Sequence, residues 1–209
     1  RLNISLDTLN KERFAHITGA DKIEKVFLGI NSAIKLGFAP IKLNAVIIKG
    51  FNDDEILPLC KFAAQNNLIL RFIEFMPIGN SPDWKESDIF TGRDILNVIG
   101  KQYSISEASK VEGGGPARHY TLSDGCLIGL ITPISDHFCN KCDKLRLTSD
   151  GKLRPCLLSD IEIPVADALR ARDKKLFIQR VHSALSVKKK RPVIESKDGF
   201  SRTMSRIGG

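Results

Sequence analysis

No Gly-x-Ser-x-Gly, no P-loop and no Gly-x-Gly-x-x-Gly fingerprint stands in these 209 residues. The serine-hydrolase elbow, the kinase phosphate cradle and the dehydrogenase dinucleotide turn therefore find no support. No apolar run approaches the roughly 20 residues of a membrane helix. The opening Arg1-Leu2-Asn3-Ile4-Ser5-Leu6 has the look of a strand, not of a secretory signal. The four His do not cluster, and no segment repeats. Five Cys is an odd count without a disulfide-like pattern, which suits a reducing compartment. The first residue is Arg rather than Met, so a processed or truncated end is expected.

What is present supports a folded chain. Hydrophobic residues make up 42%, enough for a real core. Lys and Arg number 32 against 24 acidic residues, a net charge of +8 that favours an anionic partner. The densest basic cluster, Lys188-Lys189-Lys190-Arg191, reads as a solvated turn before Pro192. No nucleic-acid recognition motif accompanies it, so a nucleic-acid partner is not expected.

The first hundred residues alternate between strand and helix patterns. Arg1–Leu6 reads as a strand. Asp21–Phe38 reads as a helix with Ile23, Val26, Phe27, Ile30, Ala33 and Ile34 on one stripe. Ile41–Ile48 is a strand, a helix lies within Asp53–Asn67, and Pro58 blurs its start. Leu68–Phe75 is a nearly apolar strand, as when both faces are covered. A further helix lies near Gly92–Gly100. The order βαβαβα predicts parallel strands. A closed (β/α)₈ barrel takes eight such pairs and about 250 residues, so three pairs read as the back part of something larger.

The second half changes character. A loop at Glu112–Pro116 precedes a hairpin, His119–Leu122 with Leu127–Ile131, turned at Asp124-Gly125. Asp150-Gly151 reads as a turn that returns Cys156 towards Cys139 and Cys142. Ile163–Arg172 and Lys174–Val187 read as helices. The domain division predicted is 1–100 and 101–209.

Cys139, Cys142 and Cys156 carry the strongest chemical signal. A Cys-x₂-Cys pair with a third Cys fits three readings: a [4Fe–4S] cluster with one open iron, structural zinc with His137 or a distant fourth ligand, or buried free thiols. Spacing alone leans to zinc. Cys60 and Cys126 lie in apolar stretches and read as core. Lys144 and Arg146 are two apart, so a strand would place both on one face beside the cysteine loop, suited to a phosphate-bearing ligand. Lys42 and Asn44 alternate out of phase with Ile41, Leu43 and Ala45, and a Lys inside a strand is costly unless it faces solvent or a ligand. Met76 reads as core filler, and Asp7 as a helix or turn cap.

Several segments occur together in one order. They are Arg1–Asp7, Lys42-Leu43-Asn44 with Gly50-Phe51-Asn52-Asp53, Arg71–Pro77, Gly115–Arg118, Ile131–Ser135, the cysteine loop and the closing Gly208-Gly209. Together they resemble the family of molybdenum cofactor biosynthesis protein A, the radical S-adenosylmethionine GTP 3′,8-cyclases. The resemblance covers essentially the whole chain. It implies an α/β fold: the rear part of an incomplete TIM-like radical S-adenosylmethionine barrel, then a C-terminal α+β cluster-binding domain.

The resemblance also implies chemistry. Enzymes of the family convert GTP to a 3′,8-cyclised guanosine triphosphate. A front cluster cleaves S-adenosylmethionine, and a second [4Fe–4S] cluster holds the purine. By resemblance, Cys139, Cys142 and Cys156 ligate the second cluster, which displaces the zinc preference. Lys42, Lys144, Leu145 and Arg146 contact GTP, Ser5 and Met76 contact S-adenosylmethionine, and the Gly208-Gly209 tail reaches the active site. Arg is usual at the position of Lys144, and Lys keeps the charge but loses the bidentate fork. Asp143 stands where Asn is common. Cyclic pyranopterin monophosphate synthase is the implied downstream enzyme, a homodimer is among the states allowed, and the implied location is the cytoplasm, or the mitochondrial matrix in a eukaryote. The family's front Cys-x₃-Cys-x₂-Cys is absent from these residues. The expectation is therefore an N-terminally truncated copy, inactive alone, with the N-terminal cluster belonging only to a full-length protein. The competing reading is a non-catalytic GTP- or metal-binding module.

Overall fold

The computed structural model describes residues 1–76, 86–108 and 115–188. Glu112–Gly114, Pro77, Lys189–Arg191 and the Gly208-Gly209 tail lie outside the described residues. The described residues form two compact units: Arg1–Phe75 with Glu86–Asp136, and Met76 with the stretch from His137 onward.

The first unit is an α/β layer built on a six-stranded sheet. Its elements are β1 (Leu2–Ser5), α1 (Lys11–Thr18), α2 (Ile23–Lys35), β2 (Ile41–Ile47), α3 (Ile56–Gln65), β3 (Ile69–Glu74), α4 (Gly92–Ile99), β4 (Ile105–Glu107), β5 (Arg118–Leu122) and β6 (Leu127–Ile131). The strand order is β1-β2-β3-β6-β5-β4. As the alternation predicts, β1, β2 and β3 are parallel. The predicted hairpin forms, with Gly125 at φ +85° in its turn. It does not stand apart, because β6 runs parallel beside β3 and extends the same sheet. Residue 100, the boundary read from the sequence, falls inside this unit.

One face of the sheet is the core. Leu43, Ala45, Ile47, Leu70, Phe72, Ile128 and Leu130 bury themselves against Ile23, Ile30 and Ala33 of α2, Ile56, Leu59, Cys60 and Ala63 of α3, and Ile95 and Ile99 of α4. Each such large side chain contributes about 1.5–3 kcal/mol on burial. Ile34, assigned to the buried stripe, is exposed instead. In β3, cover is uneven among the described residues: Leu70, Phe72 and Glu74 are buried, while Ile69, Arg71 and Ile73 are half-buried. A short 3₁₀ turn at Asp53–Glu55 precedes α3. Pro58 then sits in the helix's first turn, where its missing N–H costs nothing.

Helix α1 was invisible to periodicity because it buries none of its residues. Its caps were legible: the Asn10 side chain accepts from the Arg13 N–H, and Gly19 takes a left-handed conformation. Asp7 is neither a helix cap nor a turn cap. Its carboxylate accepts from the Val46 N–H at 2.8 Å and prolongs the β1–β2 junction. Burial pushes the Asp7 carboxyl up, and the Val46 bond opposes this.

In the second unit, β7 (Arg146–Leu147) and β8 (Lys152–Arg154) form a hairpin, and β9 (Ile163–Pro164) pairs with β8. Helices α5 (Ala166–Arg170) and α6 (Lys174–Ser186) follow. The helix expected from Ile163 starts later, because Ile163 and Pro164 are used in the sheet. Leu153, Val165 and Ala184 form a small core with Leu145, Ile163, Phe177 and Val181 packed on it. No helix among the described residues is long and apolar enough to cross a membrane.

Candidate functional site

The sheet face turned away from the helices carries a polar row among half-buried apolar residues such as Ile69 and Ile73. Register aligns Ser5, Asn44, Arg71, Gly129 and His119 in one row across five strands. Partners in register point to the same side, so this row forms a continuous strip. Asn3 and Lys42 form the adjacent row. Lys42 is 6% exposed, and burial, then Arg71 and Arg1, lower its pKa. By register Lys42 lies on the face opposite Ile41, Leu43 and Ala45, where it is buried rather than turned to solvent.

Arg71 donates from Nη2 to the Asn3 side-chain oxygen at 2.5 Å. Its Nε is buried without a partner among the described residues, as are Asn44 Oδ1 and His119 Nε2. Gly129 makes room here. A Cβ at that position would meet the Arg71 Cγ at 3.0 Å, the Ala117 Cβ at 3.2 Å and the His119 ring at 3.4 Å. Burial first, then the charges of Lys42 and Arg71, holds the His119 imidazole below its usual pKa. The strip thus presents two cations and unsatisfied polar atoms, the makings of an anion-binding surface. Arg71 and His119 were missed in the sequence. A charge interrupting an apolar strand, the signal used for Lys42, would have found Arg71. Ser5 ends β1 and is exposed, and Met76 follows β3 half-buried.

The second unit gathers the cysteines. A 3₁₀ turn at Cys139–Lys141 lets the Cys142 N–H donate to the Cys139 carbonyl at 3.2 Å. The β7–β8 hairpin, with Gly151 at φ +78° in its turn, brings the chain back to Cys156 as predicted. All three thiols are free and half-buried. Burial pushes the Cys139 thiol up, and the neighbouring Cys156 and Cys142 sulfurs push the same way. Among the described residues, no group of three or more His, Cys, Asp or Glu is arranged to hold a single metal ion. His137 Nδ1 is buried without a partner among them. Cys60 and Cys126 are core residues, as predicted, and burial raises their thiols to about 12 and about 11.

Lys144 and Arg146 do not share a strand, since β7 begins at Arg146. The reason is local: the Lys144 carbonyl is taken by Lys188 Nζ at 2.6 Å rather than by the ladder. Lys144 Nζ lies 2.8 Å from Asp143 Oδ1, and this pair holds the Asp143 carboxyl below its usual range. Both side chains are largely exposed, so the pair is worth little as stability. It does reduce the net charge that Lys144 offers to a ligand.

Comparison with known proteins places the chain among relatives of one kind. It is 39% identical to the GTP 3′,8-cyclase of Alkaliphilus oremlandii over 211 residues, covering 100% of this chain and 65% of that protein. It is 41% identical over 211 residues to the GTP 3′,8-cyclase of Moorella thermoacetica, with the same coverage. Identity to the GTP 3′,8-cyclase of Corynebacterium glutamicum is 38% over 220 residues, 58% of that protein. The chain thus spans just under two thirds of the length of the first two relatives. The profile of the family Molybdenum Cofactor Synthesis C matches residues 68–193. With more than half of its residues inside that match, the chain belongs to the Molybdenum Cofactor Synthesis C family.

Proposed function

We propose that this chain supplies the GTP-holding part of a radical S-adenosylmethionine GTP 3′,8-cyclase of molybdenum cofactor biosynthesis. One observation carries the reading: Cys139, Cys142 and Cys156 are free, half-buried and electrostatically coupled, while the other two cysteines are sealed in the core of the first unit. Soft thiolates suit an iron–sulfur cluster. Three of them would hold a [4Fe–4S] cluster, which when bound would leave an open coordination site for a donor atom of the ligand.

The chain's own residues bind and orient. In the first unit, Lys42 and Arg71 are the cations that attract a polyanion, Ser5 offers an exposed hydroxyl at the end of β1, and the parallel strands are the rear strands of a TIM-like barrel. Ser5, with Met76 just past β3, is assigned to S-adenosylmethionine. In the second unit, Lys144, Leu145 and Arg146 lie between Cys142 and the hairpin and are assigned to GTP. Lys144 acts as a point charge shared with Asp143, so its grip on phosphate is weaker than a guanidinium's. The radical-generating cluster belongs to sequence outside these residues, because no Cys-x₃-Cys-x₂-Cys stands within them. The cyclised nucleotide would pass to cyclic pyranopterin monophosphate synthase.

Anaerobic reconstitution with iron and sulfide tests this reading. About one four-iron cluster per chain is expected, lost in Cys142→Ala. Tetrahedral zinc without iron uptake sinks it.

A further inference from the structure

Lys188 stands just beyond the end of α6, and its ammonium meets three acceptors. Nζ donates to the Lys144 carbonyl at 2.6 Å and the Pro155 carbonyl at 3.0 Å, and lies 3.5 Å from Cys142 Sγ. An ammonium has three donors, so its capacity is fully used. These partners come from both arms of the cysteine site: Cys142 and Lys144 before β7, and Pro155 next to Cys156 after β8.

The ladder explains why a staple is needed here. The β7–β8 pairing ends at Arg146↔Arg154. The next hydrogen-bonded rung would join the Cys156 N–H to the Lys144 carbonyl, and that carbonyl is taken by Lys188 instead. Beyond that point the two arms are free to splay, and it is there that Lys188 ties one carbonyl from each. A C-terminal cation is also favoured by the α6 dipole. Its reach to the Cys142 sulfur gives a second consequence, since a fixed positive charge beside a thiolate stabilises negative charge on whatever that thiolate ligates.

We propose that Lys188 is a positioning residue of the thiol site. It clamps the Cys142–Lys144 arm to the Pro155–Cys156 arm and makes the bound group easier to reduce. The second part rests on the cluster reading given above; the first does not. Holding the Lys144 carbonyl also sets where the Lys144-Leu145-Arg146 segment starts, so the clamp joins the thiol site to the segment assigned to GTP.

The test compares the wild-type 209-residue chain with Lys188→Met and Lys188→Arg. In the metal-free chains, amide hydrogen exchange at residues 142–146, 154, 156 and 157 is expected to be about tenfold faster in Lys188→Met. After anaerobic reconstitution, Lys188→Met should show a more negative midpoint potential and an altered electron paramagnetic resonance signal, with Lys188→Arg restoring both. Unchanged exchange and an unchanged potential in Lys188→Met overturn the proposal. Faster exchange with an unchanged potential overturns the electrostatic part and leaves Lys188 a purely structural clamp. If the wild-type chain takes up no cluster, the cluster reading and the electrostatic part fall, while the exchange comparison still decides the clamp. Should Lys188→Met not fold, Lys188→Gln, which keeps a donor without the charge, replaces it.

Discussion

Arg71 reaches from β3 across the width of β2 to donate to Asn3 on β1 at 2.5 Å. One end of the guanidinium is thereby anchored, while its Nε is buried and unpartnered among the described residues. A cation anchored at one end with a donor left over has the capacity to bind an anionic ligand. Burial lowers the Arg71 pKa, which is the signature of a charge the fold does not favour.

Arg71→Met is therefore expected to weaken binding of GTP, and of inorganic triphosphate, by about tenfold or more. Thermal stability should be unchanged or slightly raised, because an under-satisfied cation is removed. Calorimetric titration and a melting curve on the same preparation check both. A large loss of stability with unchanged affinity would make Arg71 a structural residue.

His119 reports the same field. With its pKa depressed in the folded chain, the neutral imidazole contributes stability above the unfolded pKa, and that stability is lost as pH falls through the folded pKa. A polyanion bound at Lys42 and Arg71 cancels their repulsion, so the His119 pKa should rise and affinity should grow as pH falls below the usual histidine range. Proton NMR titration of the imidazole with and without GTP measures the shift. Identical curves place the polyanion elsewhere.

Glu74 ties the end of β3 to two segments. Its carboxylate, 1% exposed, accepts from the Gly92 N–H at 2.9 Å, from the Ile134 and Ser135 N–H groups at 3.0 Å each, and from the Ser135 hydroxyl. Glu74→Gln turns an amide donor towards these donors. A loss of about 2–4 kcal/mol is expected, read as a lower urea midpoint.

Gly151 closes the hairpin that returns the chain to Cys156. Its φ is +78°, and a Cβ there would meet the Ala166 Cβ at 2.5 Å. Gly151→Ala should destabilise the second unit and reduce iron uptake, while circular dichroism of the remaining structure changes little. Full iron uptake by the variant would show that the hairpin is not what gathers the thiols.

Much of the layout was legible because it rests on local physics. Alternating apolar periods placed β1 to β3 and α2 to α4, Asp124-Gly125 and Asp150-Gly151 marked the turns, and apolar flanks marked Cys60 and Cys126 as core. Residues such as Lys42 showed themselves by breaking a pattern. Helix α1 escaped because a helix that buries nothing leaves no stripe, and β9 escaped because a two-residue strand exists only through its partner.

By itself the sequence determined the parallel α/β character of the first unit and the three-cysteine count, since both follow from residue types at short spacing. Only the tertiary structure decided that β6 lies beside β3, that Arg71, Gly129 and His119 share a row, and that Lys188 bridges the two arms of the thiol site. Those are contacts between residues 10 to 60 or so positions apart. They are fixed by strand register and by where a ladder ends, which no short window of sequence contains.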